Sequence, residues 1–522
     1  MKAKKLYPFV LIALMSISQI LSAQSPSWKW VKWSNGTQTT VRSVCADASG
    51  NLHGAGTFNT STKFDGTDLT STGDAAFVVK YKSDGTVSWA KMVKNPGFAA
   101  IDCKSVAIDK DGNVYITGAY KGTIEFDTKT LTGSDHYVAK YNSSGAIQWA
   151  VNATGSNAIA ANTSGVFVAG GSTIQKFDPS GTVTWSINGV KSNQGYTNFY
   201  SVALNSSGNL IVAGAIDDKW TFGSSVILGG YQNIVLMEVS SAGTVTWFKT
   251  FGSSTHQGDH VQHITLDGSN NIIMTGRVGG ASMFDGVSLS SKNGYIVKLN
   301  STGVAQWGST ITNSNTIYGE GGISVATNTA GDVYVTGGFG TLDVTDGGTT
   351  TYVKGVKAGG NAYILKFNAS GVFQSALTNK ENPTINNSRG MALSGTTSGV
   401  YFGGVCAPSS EWGSLKVTGY GSVFSKIEDG TTQNIKRFDH SNTAISVYPN
   451  PSNGYVTLDL TNTFNGYNNA SVMVVNALGE SVFKSEIQEE VTPFNLSGLP
   501  KGVYFLQVRT EGGLTIKKVI LK

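Results

Sequence analysis

Short apolar runs that end in glycine recur along the first 430 residues, and each is followed by a second apolar run and a turn. The first kind of run reads NLHGAG (51–56), NVYITG (113–118), GVFVAG (165–170), NLIVAG (209–214), NIIMTG (271–276), DVYVTG (332–337) and GVYFGG (399–404). The second kind begins at Lys80, Lys140, Lys176, Glu238, Lys298, Lys366 and Lys426. Runs of this length, bounded by glycine-containing turns, predict short antiparallel strands joined by hairpins.

The repetition of these strand pairs predicts a closed ring. One unit cannot bury its own apolar face, so neighbouring units must stack, and radial closure removes the exposed sheet edges. The repeat glycines lie 44 to 66 residues apart, which suits four strands with variable loops. The predicted fold is all-β, with a seven-bladed β-propeller over residues 24–430, a linker over 431–444 and a small C-terminal β-sandwich over 445–522.

Tryptophan residues close most repeats, at Trp30, Trp89, Trp149, Trp185, Trp247 and Trp307. Because the seventh unit has none and Trp30 precedes the first, the N-terminal strand SWKWVKW is predicted to complete the last blade. Phe373 is predicted to take the tryptophan position of the sixth unit. Such a set could stack on sugars, but an aromatic residue repeated in register favours packing between blades. Trp220, Trp28 and Trp33 lie outside the register and are candidates for exposed contacts with a ligand.

Composition and charge are typical of an extracellular all-β protein. The 522 residues include 65 glycines and 14% charged residues, against a usual charged share of about 25%. The basic start and following apolar run, MKAKKLYPFVLIALMSISQILSAQ, predict a secretory signal peptide over residues 1–23 and export by the Sec machinery. Its removal takes away three lysines and lowers the formal charge from +5 to +2, which does not favour nucleic acid. No other apolar stretch is long enough to span a bilayer.

Cysteine is rare and odd in number. With only Cys45, Cys103 and Cys406, at least one thiol has no partner within the chain. Cys45 and Cys103 lie in the first strands of adjacent predicted blades. A disulfide bond between them is therefore one alternative, and three free thiols are the other.

The final segment changes pattern, with ISVYPNPSNGYVTLDL (445–460) followed by further strands and glycine turns. It resembles the C-terminal sorting domain of proteins exported by the type IX secretion system of Bacteroidota. The residues that carry the resemblance are Tyr448, Pro449, Asn450, Pro451, Gly454, Gly479, Leu499, Gly502 and Tyr504. The resemblance implies export by the type IX machinery, removal of the tail, and release or attachment at the outer-membrane cell surface. The alternative is an ordinary terminal sandwich that binds carbohydrate.

The repeats themselves are similar to the seven-bladed propeller repeats of bacterial secreted proteins. The second unit, from Asp109 through Trp149, matches best. The third unit departs from the pattern by losing most of its middle, and Glu238 replaces the usual lysine in the fourth. This resemblance implies a fold and secretion, and it implies no activity.

One cluster of residues has the composition of a metal site. His256, Asp259, His260 and His263 lie within the stretch HQGDHVQH, and imidazole and carboxylate groups are ligands of zinc and other transition metals. The alternative is a solvated polar loop, because His260 and His263 would point to opposite sides of a strand. The aspartates of three Phe-Asp pairs, Asp65, Asp127 and Asp285, could bind calcium, but their repetition favours turn capping. No cofactor is predicted, with zinc or calcium as the alternatives.

No catalytic motif is found, whether a nucleophile elbow, a phosphate loop or a dinucleotide fingerprint. The leading hypothesis is a non-enzymatic propeller that binds an extracellular polysaccharide or protein through loops around one mouth of the ring. Trp220, His256 and His260 are the candidate ligand contacts. The alternatives are a polysaccharide-cleaving propeller, hydrolase or lyase, and a structural surface component.

Overall fold

The structure, a computed structural model, describes residues 26–522 with internal gaps. The gaps are 37, 98–99, 134, 192–195, 230–232, 253–257, 290–293, 314–321, 340, 347–348, 355–360, 381–387, 430–443, 463–469, 477–480 and 511–512. The predicted signal peptide and nearly all of the predicted linker lie outside the described residues. The chain divides into two compact units, Met1–Thr431 and Thr432–Lys522.

Strands dominate the N-terminal unit, and its described residues contain no helix. Its first strands are β1 (Pro26–Trp33), β2 (Thr40–Ala46), β3 (Leu52–Phe64), β4 (Thr67–Tyr81), β5 (Val87–Lys94), β6 (Ser105–Ile108), β7 (Val114–Ala119), β8 (Gly122–Phe126), β9 (Lys129–Gly133), β10 (His136–Tyr141), β11 (Ile147–Ala153), β12 (Ala158–Asn162), β13 (Gly165–Gly170), β14 (Thr173–Phe177), β15 (Val183–Asn188), β16 (Val190–Lys191), β17 (Thr197–Leu204), β18 (Leu210–Ile216), β19 (Lys219–Phe222), β20 (Ser225–Leu228), β21 (Asn233–Val239) and β22 (Val245–Phe251). The remaining strands are β23 (His260–Leu266), β24 (Ile272–Arg277), β25 (Ser282–Phe284), β26 (Val287–Leu289), β27 (Gly294–Leu299), β28 (Ala305–Asn313), β29 (Ser324–Thr327), β30 (Val333–Phe339), β31 (Thr341–Asp346), β32 (Thr349–Lys354), β33 (Asn361–Phe367), β34 (Phe373–Thr378), β35 (Arg389–Thr396), β36 (Gly399–Cys406), β37 (Glu411–Trp412), β38 (Leu415–Lys416) and β39 (Gly421–Asp429).

Each sequence repeat forms four neighbouring antiparallel strands of one sheet, and we call these four strands a blade. In two of the sheets the pairing continues past the fourth strand, into β8-β9 and into β31-β32. In chain order the described blades are β2–β5, β6-β7-β10-β11, β12–β15, β17-β18-β21-β22, β23-β24-β27-β28, β29-β30-β33-β34 and β35-β36-β39-β1, numbered 1 to 7. The first strand of each repeat contacts the first strand of the next, and β35 contacts β2. These innermost strands therefore surround a central channel, and the predicted all-β propeller is confirmed.

The two ends of the N-terminal unit meet in blade 7. Strand β1 pairs with β39, with Pro26 opposite Asp429 and Trp33 opposite Val423. The predicted role of the N-terminal strand is therefore confirmed. The ring is closed by backbone hydrogen bonds between segments from opposite ends of the repeat region, which removes two free sheet edges.

The repeat glycines are explained by a close approach to the innermost strand. A Cβ atom added at Gly56 would lie 2.0 Å from the carbonyl oxygen of Thr40, and one added at Gly276 would lie 2.2 Å from that of His260. Real Cβ atoms do not come so close to a backbone oxygen. Only glycine permits the second strand to pack against the first at this point.

The repeat tryptophans lie between blades, which confirms the packing interpretation. The Trp149 Nε1–H donates a hydrogen bond to the Pro179 carbonyl of the next blade at 3.0 Å, and its ring covers Gly181. The Lys140 ammonium donates to the same carbonyl at 3.3 Å. Equivalent indole contacts join Trp30 to Ser83, Trp89 to Ser143, Trp185 to Ser241 and Trp307 to Ala369.

The sixth blade differs from the prediction. Lys140 lies opposite Trp149, whereas Lys366 lies opposite Ser375. Ser375, and not Phe373, therefore occupies the tryptophan position. The physical reason lies in the next blade, whose third and fourth strands come from opposite chain ends and are not joined by a hairpin turn. Among the described residues, blade 7 therefore has no turn between these two strands whose carbonyl could accept an indole hydrogen bond.

The C-terminal unit is a two-sheet β-sandwich. Its strands are β40 (Ala444–Tyr448), β41 (Tyr455–Asn462), β42 (Ser471–Val475), β43 (Ser481–Glu486), β44 (Val491–Asn495), β45 (Gly502–Thr510) and β46 (Gly513–Leu521). One sheet has the order β40-β41-β44 and the other β43-β42-β45-β46. Alternate side chains such as Val456, Leu458, Leu506 and Val508 are buried between them. Among the described residues of the whole chain, no helix is long and apolar enough to cross a membrane.

Candidate functional site

The innermost strands of the propeller carry accessible side chains at one repeated position. The strand pairing is interrupted by a bulge at Arg42, Tyr200, Gln262 and Met391. Their neighbours Val41, Phe199 and Val261 are fully buried, whereas the bulged residues are exposed or half-buried. A bulge takes one residue out of the hydrogen-bonded ladder and redirects its side chain. The bulges therefore turn these side chains toward the central channel.

A hydrogen-bonded polar chain crosses blades 2 to 4 at this level. The Lys104 ammonium donates to Asn157 Oδ1 at 2.8 Å, and Asn157 Nδ2 donates to Asn198 Oδ1 at 2.7 Å. Asn198 Oδ1 also accepts from the backbone of Gly171 at 2.8 Å. Lys104 precedes Ser105 in blade 2 as Arg42 precedes Ser43 in blade 1. The chain therefore continues the row of bulged residues.

Aromatic and amide groups occupy the next part of the ring. The Tyr196 and Tyr200 hydroxyl groups are 2.7 Å apart, and the Tyr200 ring lies 6.4 Å from the His260 ring. Gln262 Nε2 donates to His260 Nε2 at 3.0 Å, while His260 Nδ1–H faces the Gly258 carbonyl at 3.3 Å. Burial, and then the hydrogen bond with Tyr196, raise the pKa of Tyr200. Its hydroxyl group is therefore neutral and available for hydrogen bonding.

Carboxylates near this end of the ring hold the backbone. Asp102 Oδ1 accepts a hydrogen bond from the Ala119 amide at 2.5 Å, and Asp259 Oδ1 accepts one from the Gly279 amide at 2.6 Å. Asp217 accepts one from the Tyr196 amide. These acids anchor loops. We use the name channel mouth for the accessible side chains at or beside the bulges of the innermost strands, namely Arg42, Lys104, Tyr200, His260, Gln262 and Arg389.

The residues predicted to bind metal have separate contacts. Asp259 is fully buried, and its second partner is the Ser282 hydroxyl at 3.3 Å. His263 Nδ1 faces the Val325 backbone of the next blade, and burial lowers the His263 pKa to about 4. His256 lies outside the described residues. Among the residues that are described, no group of three His, Cys, Asp or Glu side chains is arranged to hold a metal ion, and zinc at all four positions stays a prediction.

The Phe-Asp aspartates form turns and ion pairs. Asp65, Asp127 and Asp285 adopt positive φ angles of 42°, 46° and 45° at hairpin tips. The ammonium group of Lys32 lies 2.7 Å from the Asp65 carboxylate, and that of Lys91 lies 2.8 Å from the Asp127 carboxylate. Each lysine belongs to the outer strand of the preceding blade. These carboxylates therefore link neighbouring blades at the rim of the ring.

Trp220 does not offer an exposed surface. Its side chain is 6% exposed, and its ring stacks 6.2 Å from that of Phe222. Strand β19 lies between β16 and β20, and the indole packs in a hydrophobic cluster that includes Phe167, Phe199 and Phe222. The prediction that Trp220 makes an exposed ligand contact is wrong for this reason. Trp28 is half-buried against Phe402 and Trp412.

The cysteines are free thiols in the structure. Cys103 is buried, and burial raises its pKa to about 12. Cys45 lies opposite His53 on the neighbouring strand. Neither thiol takes part in the channel mouth.

A second concave surface lies at the seam between blades 6 and 7, where the hairpin turn is missing. This cavity has a volume of 260 Å³ and is lined by polar groups that include Asn328, Ser398 and Glu428. Its aromatic residue, Tyr334, is fully buried with the Lys366 ammonium 5.6 Å from its ring. The ring therefore presents no free face for stacking. The channel mouth offers the more varied chemistry.

In the C-terminal unit, the Tyr-Pro-Asn-Pro motif ties the beginning of the unit to its end. Asn450 Nδ2 donates to the Lys518 carbonyl at 2.6 Å, and Asn450 Oδ1 accepts from the Ile520 amide at 3.0 Å. The Ser452 amide donates to the Ile520 carbonyl at 2.8 Å, and the Lys522 amide donates to the Ser452 carbonyl at 2.9 Å. The motif and the basic-apolar end therefore form one structural element.

The other motif residues shape the turns of this unit. Gly454 has a φ angle of 104°, and a Cβ atom there would lie 2.4 Å from Ser497 Cα. The Tyr504 hydroxyl donates to the Pro500 carbonyl at 2.7 Å, which closes the turn before β45. Leu499 packs against the core, and Gly479 lies outside the described residues.

Residues 446–522 match the family model of the secretion system C-terminal sorting domain. The C-terminal unit is a type IX sorting domain. The sorting domain directs the protein to the secretion machinery and marks it for secretion and attachment at the cell surface. Export and surface localisation, expected from the sequence, are confirmed on this basis.

Comparison of the remaining chain with known proteins gives distant similarities. The chain is 36% identical over 84 residues to an uncharacterized WD repeat-containing protein of Acanthamoeba polyphaga mimivirus, covering 14% of this chain and only 6% of that protein. Among solved structures, it is similar to the RRP9 WD40 repeats, with 8% identity, a TM-score of 0.41 and coverage of 78% of this chain and 99% of that chain. It is also similar to PorZ, described as a surface component of the type IX secretion system of Porphyromonas gingivalis, with 11% identity, a TM-score of 0.15 and coverage of 94% and 100%.

Most channel-mouth residues were not predicted from the sequence, although a signal for them exists. Arg42, Lys104, Tyr200 and Gln262 each lie 14 residues before a repeat glycine, at Gly56, Gly118, Gly214 and Gly276. This position lies on or beside the innermost strand of each of these blades, yet a different side chain occupies it in each blade. Variation at a fixed place in a repeat is the pattern expected for ligand contacts on a constant scaffold.

Proposed function

We propose that this exported propeller binds an extracellular polysaccharide at the channel mouth and does not cleave it. The observation that carries the proposal is the row of bulged residues on the innermost strands. Each bulge presents an accessible side chain, and the chemistry changes from blade to blade between the cation of Arg42, the phenol of Tyr200, the amide of Gln262 and the thioether of Met391. Convergent polar groups of different types, held on a rigid frame, are typical of a binding site.

The state of the nearby carboxylates supports binding over cleavage. Most glycoside hydrolases need two carboxyl groups that flank the scissile bond, one acting as an acid and one as a base or nucleophile. Asp102, Asp217 and Asp259 instead accept hydrogen bonds from backbone amides of their own loops. A carboxylate committed to a loop in this way is poorly placed to exchange protons with a substrate.

The aromatic groups support a polysaccharide as the ligand. Tyr200 has a half-buried ring beside His260, and its hydroxyl is paired with that of Tyr196. A rigid ring with an adjacent amide at Gln262 can stack on the apolar face of a sugar and hydrogen-bond its hydroxyls. A protein ligand is the competing occupant.

The test measures retention of the purified full-length protein on immobilised polysaccharides, together with release of reducing ends. We expect retention without products, and loss of retention in Tyr200→Ala. Phe248→Ala is the matched control, because Phe248 is an exposed aromatic on the outer strand β22. Equal retention of both variants, or release of products, would overturn the proposal. Loss of retention on adding a chelator would instead support the metal prediction for His256, Asp259, His260 and His263.

A further inference from the structure

Positive charge is concentrated on one arc of the channel mouth. Arg389, Arg42 and Lys104 lie on or beside the innermost strands of blades 7, 1 and 2, which follow one another around the ring. Arg42 and Lys104 hold equivalent positions beside Ser43 and Ser105. In blade 7 the bulge itself holds Met391, and Arg389 lies two residues before it. Three consecutive blades therefore carry a cation near the beginning of the innermost strand, while blades 4 and 5 carry Tyr200, His260 and Gln262 there.

None of the three cations on this arc forms an ion pair with a described carboxylate. Lys104 bonds the neutral amide oxygen of Asn157. The acid closest in sequence, Asp102, has one oxygen committed to the Ala119 amide. Cations that are not held in ion pairs remain available to attract an anionic ligand.

We propose that the ligand of the channel mouth is an acidic polysaccharide, recognised through the carboxylate groups of its uronic acid units. This inference rests on the proposed function and assigns the chemical class of its ligand. Guanidinium groups match carboxylates with two parallel hydrogen bonds, and such charge-assisted contacts are stronger than neutral ones. The tyrosine, imidazole and amide groups across the channel then contact the neutral hydroxyls of the same chain.

The separation of the cationic groups from the aromatic and amide groups around the channel mouth also fits a polymer better than a small anion. The cationic arc spans three blades, and the aromatic and amide groups belong to other blades on the ring. A single carboxylate cannot reach both regions, whereas a sugar chain carries charges and hydroxyls at every unit. The ligand is therefore expected to bind with an affinity that rises with its length until the mouth is spanned.

The experiment is titration calorimetry of the full-length protein with polygalacturonate oligomers, dextran sulfate and neutral dextran. We expect polygalacturonate to bind most tightly and its affinity to fall as salt is raised, because salt screens exposed charges. Arg42→Gln and Arg389→Gln should each weaken this binding at least about tenfold, since each removes a charge-assisted contact. Lys82→Gln, at an exposed lysine of a hairpin turn, is the matched control and should bind as the unchanged protein does.

The outcomes separate this inference from the proposed function. Equal affinity for dextran and polygalacturonate, or unchanged binding in both arginine variants, would overturn the acidic ligand while leaving a glycan-binding mouth intact. Tighter binding of dextran sulfate would overturn the carboxylate assignment. Binding of no glycan, charged or neutral, would overturn the proposed function as well. A circular dichroism spectrum matching that of the unchanged protein confirms that each variant is folded.

Discussion

His53 makes the propeller sensitive to acid. Its side chain is fully buried, and neither ring nitrogen has a hydrogen-bond partner. It lies between Cys45 and Lys80 on the neighbouring strands, with Trp89 6.1 Å away. Burial, and then the charge of Lys80, lower the His53 pKa to about 3. The imidazole is therefore neutral in the folded protein at any pH above that value.

The size of the effect follows from the difference between the folded and unfolded pKa. An unfolded histidine titrates near pH 6.5, so below that pH the unfolded chain binds a proton that the folded chain excludes. The contribution of the neutral His53 side chain to the free energy of unfolding is fully present well above pH 6.5, and it is lost as the pH decreases toward 3. Two pH units below 6.5, at pH 4.5, the loss from His53 is roughly 3 kcal/mol. His263, with a pKa of about 4, adds a loss of similar size.

The variant His53→Phe removes the titrating group while keeping an aromatic ring. Phe167 occupies the equivalent place in blade 3, opposite Lys176, whose ammonium lies 5.1 Å from the ring. We expect the variant to be more stable at pH 7.5 by about 1–3 kcal/mol, because a buried polar group without partners is costly. Between pH 7.5 and 4.5 it should lose roughly 3 kcal/mol less than the unchanged protein.

The assay is urea unfolding followed by tryptophan fluorescence at pH 7.5, 6.5, 5.5 and 4.5, with the free energy of unfolding extrapolated to zero urea. The reciprocal variant Phe167→His is the matched control, because it buries an imidazole at the same place in another blade. It should gain the acid sensitivity that His53→Phe loses. Parallel curves of stability against pH for the unchanged protein and His53→Phe would refute the reasoning.

Three further changes test the packing. Trp149→Phe should lower the free energy of unfolding in urea by about 1 kcal/mol, through loss of the hydrogen bond to Pro179; an unchanged midpoint would contradict the indole contact. Gly276→Ala should cost about 1–3 kcal/mol, because its Cβ atom would collide with the His260 carbonyl; a wild-type melting temperature would count against that crowding. Asn450→Ala should speed amide exchange at the C-terminal strand of the sorting domain, and unchanged exchange would show that its two hydrogen bonds are dispensable.

Features with a local cause could be predicted from the sequence. The strand pairs follow from apolar runs and hairpin turns, and the repeat glycines mark where the second strand meets the first. The sequence prediction for blade 6 was wrong because it chose Phe373 as an aromatic residue, without regard to its distance from the repeat lysine. In blades 1 to 5 the tryptophan follows the repeat lysine or glutamate by nine residues, as Trp149 follows Lys140, and the same offset from Lys366 gives Ser375.

Features that depend on distant pairings could not be predicted. Trp220 is buried in a cluster with Phe167 of β13, Phe199 of β17 and Phe222 of its own strand. Nothing in the residues around Trp220 indicates that burial. The channel mouth is likewise assembled from five blades, so Arg42 and Gln262 become parts of one surface only when the ring closes. The sorting domain was easier to predict, since its motifs lie together in one short segment.

The position of the closing strand has a consequence for the order of synthesis and export. Pro26 of β1 pairs with Asp429 of β39, so about 400 further residues must be translated before β1 has its partner strand. The sorting domain begins only after that partner, at residue 446. Every chain that is long enough to include the sorting domain therefore also includes both strands whose pairing closes the propeller. A chain that terminates before residue 446 lacks the sorting domain, so the chains that carry this domain also contain both closing strands of the propeller.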